Sequence, residues 1–229
     1  MFLDGFGPII LDGAWVTLEL AVMSLLVSFI IGLGGAGAKL SSNPLLKGIA
    51  TLYTTLIRGV PDLVLMLLIF YSLQIGMNHL TEWQGLEQIN LNPFVSGVFT
   101  LGFIYGAYFT ETFRGAFLSV PKGQIEAGIA YGMSSWQTFS RIQFPQVMRF
   151  ALPGISNNWQ VMLKATALVS IIGLSDVVKA SIDAGKSSYK VFFFTVVAGA
   201  IYLILTSVSS LVLMWLERRY STGVREAEL

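Results

Sequence analysis

Five ionisable side chains stand in apolar surroundings along this chain: Glu19, Arg58, Asp62, Glu111 and Lys164. Such a group costs roughly 2.5–3.5 kcal/mol at the centre of a membrane helix, so it persists where it is paired or lines a wet path. Arg58 and Asp62 flank Gly59 and Pro61 in RGVPD. At i,i+4 they could pair across one turn, but the proline removes a helical hydrogen bond and bends the chain there. Broken membrane helices with charges beside them are where transporters hold polar solutes. Glu111 and Arg114 have the i,i+3 spacing of a structural ion pair near a helix end, and Glu19 could pair with a basic group on a neighbouring helix. In ALPGISNNWQVMLKATALVS, Asn157, Gln160 and Lys164, with Asn158 beside them, recur at helical spacing on one broad face. That face either packs on other helices or lines a path for a polar solute, and the ionisable member favours the path. The chemistry these residues can do is to bind and guide a small charged solute.

Bond-making chemistry has poorer material. There is no cysteine, and the single histidine, His79, is expected in a short outer loop with Glu82 and Glu87. No catalytic residue and no metal site is expected. AGKSS at Ala184–Ser188 looks like the end of a phosphate-binding loop, but Ala180 stands where that motif needs glycine, so a solvated loop is expected. GLGGAG at Gly32–Gly37 and GFIYG at Gly102–Gly106 carry small residues at the spacing of close helix packing. An intramembrane hydrolase is therefore disfavoured.

The elements that hold these side chains follow from composition. Of 229 residues, 54% are hydrophobic and only 12% charged, with a mean hydropathy of +0.70. Soluble domains carry about a quarter charged residues; here lipid is the expected solvent. The net charge of +1 offers no basic stripe for nucleic acid. No Lys or Arg precedes the first apolar run, so that run is expected to be kept and not cleaved as a signal. Five segments suit membrane helices, at about 13–38, 49–77, 94–118, 151–174 and 191–216, forming a single all-α domain. With the N-terminus outside and the C-terminus inside, the inner segments hold Lys39, Lys47, Arg114, Lys122, Arg141, Arg149, Arg218, Arg219 and Arg225. The outer ones hold only Lys179, Lys186 and Lys190.

Between the third and fourth spans lies a long polar island, 120–147, containing GQIEAGIAYGMSSWQTFSRIQFPQ. Gln124–Tyr131 is expected as a short amphipathic helix stopped by Gly132. Ser134 and Gln137 fit a capping box opening a second helix to about Gln143. Pro145 ends that helix or starts the next. Two short helices at the inner surface suit docking to a soluble partner; the other option is an interfacial helix resting on lipid.

The island resembles the cytoplasmic signature of ABC importer permeases: EAA, three residues, Gly, nine residues, Ile-x-Leu-Pro. Here it reads Glu126-Ala127-Gly128, then Gly132, then Ile142-Gln143-Phe144-Pro145, with Gly128 replacing an alanine and Phe144 a leucine. Gly128 is expected to loosen its helix by roughly 1 kcal/mol relative to Ala. RGVPDLVLMLLIFY, GFIYGAYFTETFRGAF, VPKGQIEA and NNWQVMLKATALVS are similar to the polar amino acid branch, above all to permeases for histidine, lysine, arginine and ornithine and to the related opine systems. Asp62, where many relatives have leucine, is the local clue to a cationic substrate.

The resemblance implies a five-helix type I importer permease in the bacterial inner membrane, itself not an enzyme. ATP and Mg would be used by ABC ATP-binding subunits docked on the island, and no cofactor would bind this chain. A periplasmic amino-acid-binding protein would deliver substrate, and a second permease subunit, homologous more often than identical, would complete the path. Asp62 and Glu19, with Glu111, would attract the cationic groups. Arg58 would meet the α-carboxylate, and Asn157, Asn158, Gln160 and Lys164 would line the path. A self-contained secondary carrier coupling ions through Glu19, Asp62 and Glu111 is the rival, although the chain shows no internal repeat of the kind such carriers commonly have.

Overall fold

The computed structural model describes residues 2–220; Arg225, counted above on the inner side, lies outside the described residues. A short turn at Phe2–Gly5 leads into α1 (Gly7–Leu40), α2 (Pro44–Gly59), α3 (Asp62–Trp83), α4 (Pro93–Leu118), α5 (Lys122–Ala130), α6 (Ser135–Thr138), α7 (Phe144–Ala165), α8 (Val177–Ser188) and α9 (Val191–Tyr220). No strand occurs among the described residues. Helix starts are written locally. The Asn43 and Asn92 side chains accept from Leu45 N and Phe94 N, each at 2.9 Å, and Pro44 and Pro93 follow in the first turn. The Asp176 carboxylate accepts from Lys179 N at 3.0 Å and caps α8.

Helices α1 and α4 run side by side in the same direction and form the spine. A Cβ on Gly32 would lie 2.6 Å from Phe109 Cβ, and one on Gly106 2.6 Å from Ile31 Cγ2. Gly35 meets Thr110 and Gly102 meets Val27 more closely still. Both glycine motifs therefore pack helices, as expected. Helix α7 and its 3-10 continuation Thr166–Ile172 cross α4 in the opposite sense, with Gly154 against Thr112 at one end and Gly97 against Val169 at the other. The core between them buries Leu101, Ile104, Tyr105, Phe109, Met162, Leu163 and Val169. A smaller cluster of Ile10, Val177, Ala184 and Phe194 joins α1, α8 and α9.

Four helices, α1, α3, α4 and α9, are long and apolar enough to cross a membrane. The helical run Ser135–Ile172, bent by 54° onto α8, makes a fifth. Four expectations are corrected. The second span is not one helix over 49–77. Pro61 has no N–H to give and Val60 is extended (φ −116, ψ 141), so α2 stops at Gly59 and α3 starts afresh at Asp62. His79 belongs to α3, which continues to Trp83 instead of yielding to a loop. Ala184–Ser188 is the last turn of α8, with Ala184 and Gly185 buried where the chain turns into α9, so it is not a solvated loop. The fourth span also begins earlier than 151, because nothing interrupts the helix between the polar island and the apolar run. It ends at Gly173, whose φ of +102 suits glycine alone.

Candidate functional site

The break between α2 and α3 rests against the middle of α4. There the Tyr105 hydroxyl, almost wholly buried, donates to Asp62 Oδ2 at 2.8 Å. One turn along α4, the Tyr108 ring faces Arg58, whose guanidinium carbon is 5.5 Å from the ring centroid. Arg58 and Asp62 form no ion pair with each other; each is held by a tyrosine of α4 instead. Their positions suit the broken helix. Arg58 lies in the last turn of α2, where free carbonyls favour a cation. Asp62 opens α3, where free N–H groups favour an anion. Neither Tyr105 nor Tyr108 stands out in the sequence as a site residue. Their i,i+3 spacing, one turn before Glu111 in GFIYGAYFTETF, is the signal that would have found them.

Glu111 is engaged elsewhere. Its carboxylate accepts from Arg114 Nε at 3.0 Å, the i,i+3 pair expected, and from Lys39 Nζ. Lys39, at the end of α1, also donates to Thr54 Oγ1 of α2 at 2.7 Å. One carboxylate thus knots α1, α2 and α4. Lys39 is nearly buried, with 9% of its side chain exposed, so the knot is more than a surface pair. Two cations already fill Glu111, and it does not face the break as a free group.

The polar set on α7 divides. Asn157 and Lys164 are exposed and, at i,i+7, point the same way. Asn158 and Gln160 are turned about 100° to one side of Asn157 and about 60° to the other. Asn158 Nδ2 donates to Thr112 Oγ1 of α4 at 3.0 Å. Gln160 Nε2 donates to Ser210 Oγ at 2.7 Å and Thr206 O at 3.2 Å, both on α9. These two amides tie helices together, the packing role weighed above. Glu19 is exposed on α1 and accepts from Trp15 Nε1 at 2.6 Å. It edges a shallow hollow of about 430 Å³ beside Phe94, the second residue of α4. Tyr105 lies eleven residues further along α4 (105 − 94), about 16 Å at 1.5 Å per residue. The structure therefore brings Arg58 and Asp62 together and leaves Glu19 apart.

The polar island is built by its signature residues. Helix α5 exposes Glu126, Ala127 and Ile129 and buries Gly128. A Cβ on Gly128 would lie 2.6 Å from Ile142 Cδ1, so two signature positions touch and glycine permits the approach. The helix ends in a Schellman cap: Met133 N reaches Gly128 O at 3.1 Å and Gly132 N reaches Ile129 O at 2.9 Å. Gly132 has φ +79. The capping box follows as expected, with Gln137 N to Ser134 Oγ at 3.3 Å and Ser134 N to Gln137 Oε1 at 2.9 Å. Phe139–Gln143 then form a π turn, and Pro145 sits in the first turn of α7. A proline collides with the carbonyl four residues back; the wider π turn moves the Arg141 carbonyl aside, so the helix passes through Pro145 unbroken. Tyr131 and Trp136, 87% and 72% exposed, give this end of the molecule an open aromatic surface.

The chain is similar in sequence and in fold to known proteins. Residues 19–222 match the family described as binding-protein-dependent transport system inner membrane component. The histidine/lysine/arginine/ornithine transport system permease protein HisQ of Salmonella typhimurium is 63% identical over 227 residues, 99% of this chain and all of the relative. The arginine ABC transporter permease protein ArtQ of Haemophilus influenzae is 38% identical over 96% of this chain and 97% of its own length. The crystal structure of an amino acid ABC transporter with histidines superposes with a TM-score of 0.77 at 32% identity, covering 93% of this chain and 94% of the other.

Proposed function

The chain belongs to the family of binding-protein-dependent transport system inner membrane components, and on that premise we propose that it is the permease subunit of an ATP-driven importer for cationic amino acids of the histidine, lysine, arginine and ornithine class. The observation that carries this is the 63% identity to HisQ across essentially the full length of both proteins. The octopine transport system permease OccQ of Rhizobium radiobacter stands further off at 36%, so an opine substrate is the weaker alternative.

In this reading the N-terminus is outside, and the end of the bundle carrying α5 and α6 faces the cytoplasm. An ATP-binding partner uses ATP and Mg and docks over Glu126, Ala127, Gly128, Gly132, Ile142 and Pro145. A periplasmic amino-acid-binding protein loads the opposite mouth. A second, homologous permease covers the faces that lipid tolerates poorly, above all exposed Lys164 and Asn157. The substrate's cationic group meets Asp62 at the break, and its α-carboxylate meets Arg58. Glu19 serves as an outer attractant, separate from that pair, while Glu111, Asn158 and Gln160 contribute through the helices they tie.

ATP-dependent uptake in proteoliposomes tests the proposal, with the partner subunits co-expressed and labelled histidine, arginine, lysine and glutamine compared. Asp62→Asn is expected to slow uptake of arginine and histidine while the complex still assembles. Uptake driven by a proton gradient and indifferent to ATP would sink the proposal.

A further inference from the structure

Arg58 occupies an unusual place for a residue expected to receive a carboxylate. Its guanidinium lies over the Tyr108 ring, one turn of α4 beyond the Tyr105 hydroxyl that holds Asp62. An aromatic face beside a carboxylate is what a guanidinium, imidazolium or ammonium group seeks. The chain itself thus supplies, beside this site, a cation of the kind it is proposed to transport. Nothing locks that cation in place. Arg58 is exposed, it forms no ion pair among the described residues, and its neighbour Gly59 has open space around it. Asp62, by contrast, is fixed through the buried Tyr105 hydroxyl. One half of the site is rigid and the other is free to swing.

We propose that Arg58 is a tethered stand-in for the substrate: its guanidinium fills the Tyr108–Asp62 site until a cationic amino acid side chain displaces it, and the freed guanidinium then binds the substrate's α-carboxylate. This rests on the cationic amino acid reading above. The exchange makes closure around a substrate depend on both of its ends. A cation without a carboxylate evicts Arg58 and gives it no new partner. A neutral amino acid offers the carboxylate but cannot displace Arg58 from the ring. Tyr108 becomes a selectivity residue alongside Asp62, and occupation by Arg58 keeps an unloaded path from standing open.

Equilibrium binding of labelled arginine and of agmatine, which is arginine without its α-carboxylate, to the purified permease–ATPase complex tests the exchange. Arg58→Gln removes the competitor and the carboxylate clamp together. Agmatine should therefore bind roughly fivefold more tightly than to wild type, the scale of one cation–π contact relieved. Arginine should bind more weakly. In the Arg58→Gln background, where the competitor is gone, adding Tyr108→Leu should weaken both ligands, and adding Tyr108→Phe, which keeps the ring face, neither. Arginine and agmatine responding in the same direction to Arg58→Gln would overturn the exchange, as would indifference of both to Tyr108→Leu in that background. Failure of the wild-type complex to bind either ligand would instead remove the substrate site itself.

Discussion

Gly132 isolates the energetics of one backbone conformation at the proposed coupling surface. Its φ of +79 is left-handed, and a Cβ there would meet nothing within 4 Å. Substitution therefore brings no clash, only the conformational penalty of about 1–2 kcal/mol for an ordinary L-residue. That penalty shifts the equilibrium between the capped and uncapped chain by about 5- to 30-fold. Helix α5 has nine residues, too few to stand alone, so it depends on this cap and on the Gly128–Ile142 contact. The expected order for binding-protein-stimulated ATPase activity in proteoliposomes is Gly, then Asn, which tolerates the left-handed region, then Ala, then Val. Gly132→Ala should lose several-fold, and Gly132→Val more. The α1–α4 core is remote from this turn, so the thermal midpoint of the purified complex should stay close to wild type. Wild-type stimulation in the Ala and Val variants, or an Asn variant as poor as Val, would refute the argument.

Gly35→Leu forces a side chain into Thr110 across the α1–α4 contact. It should cost about 1–3 kcal/mol or more, seen as a lower thermal midpoint of the complex, and Gly34→Leu, which faces open space, should not. Glu111→Gln strands Lys39, and with Glu111 19% and Lys39 9% exposed the loss should fall below the ~3–5 kcal/mol of a fully buried pair. A double-mutant cycle with Lys39→Met should recover much of it. Tyr105→Phe deprives Asp62 of its one side-chain hydrogen bond among the described residues, a charged-acceptor bond of about 1.5–3 kcal/mol. It should raise the arginine dissociation constant of the complex, while lysis of cells expressing it yields normal amounts of assembled protein.

Much of this molecule was legible because its signals are local. The cap of α5 and the box opening α6 are set by Gly132, Ser134 and Gln137 within one stretch of chain. The glycine motifs act across helices, but their period alone marks a packing face. What escaped is set by distance in sequence. Lys39 reads as the end of a span and becomes the nearly buried partner of Glu111, 72 residues away. Tyr105 and Tyr108 read as apolar filling until the break in α2–α3 is laid against them. The four polar residues of α7 share a face on a helical wheel, yet about 60–100° of rotation decides that Gln160 and Asn158 bond to neighbouring helices while Asn157 and Lys164 do not. The break at Pro61 was visible, but a hydropathy window smooths over it and returns one span.

The helical run from Ser135 to Ile172 also sets how motion is passed on. At 1.5 Å per residue it is a rod of roughly 55 Å, with one end in the aromatic patch around Trp136 and the other at Gly173. Tilting such a rod by about one degree carries its far end through about 1 Å, so a small displacement at one end becomes a lateral shift on the scale of an atom at the other. The π turn lets the helical run continue through Pro145. Asn157 and Lys164, riding on its flank, are carried with the end that bears Trp136 and need no relay of side chains between them.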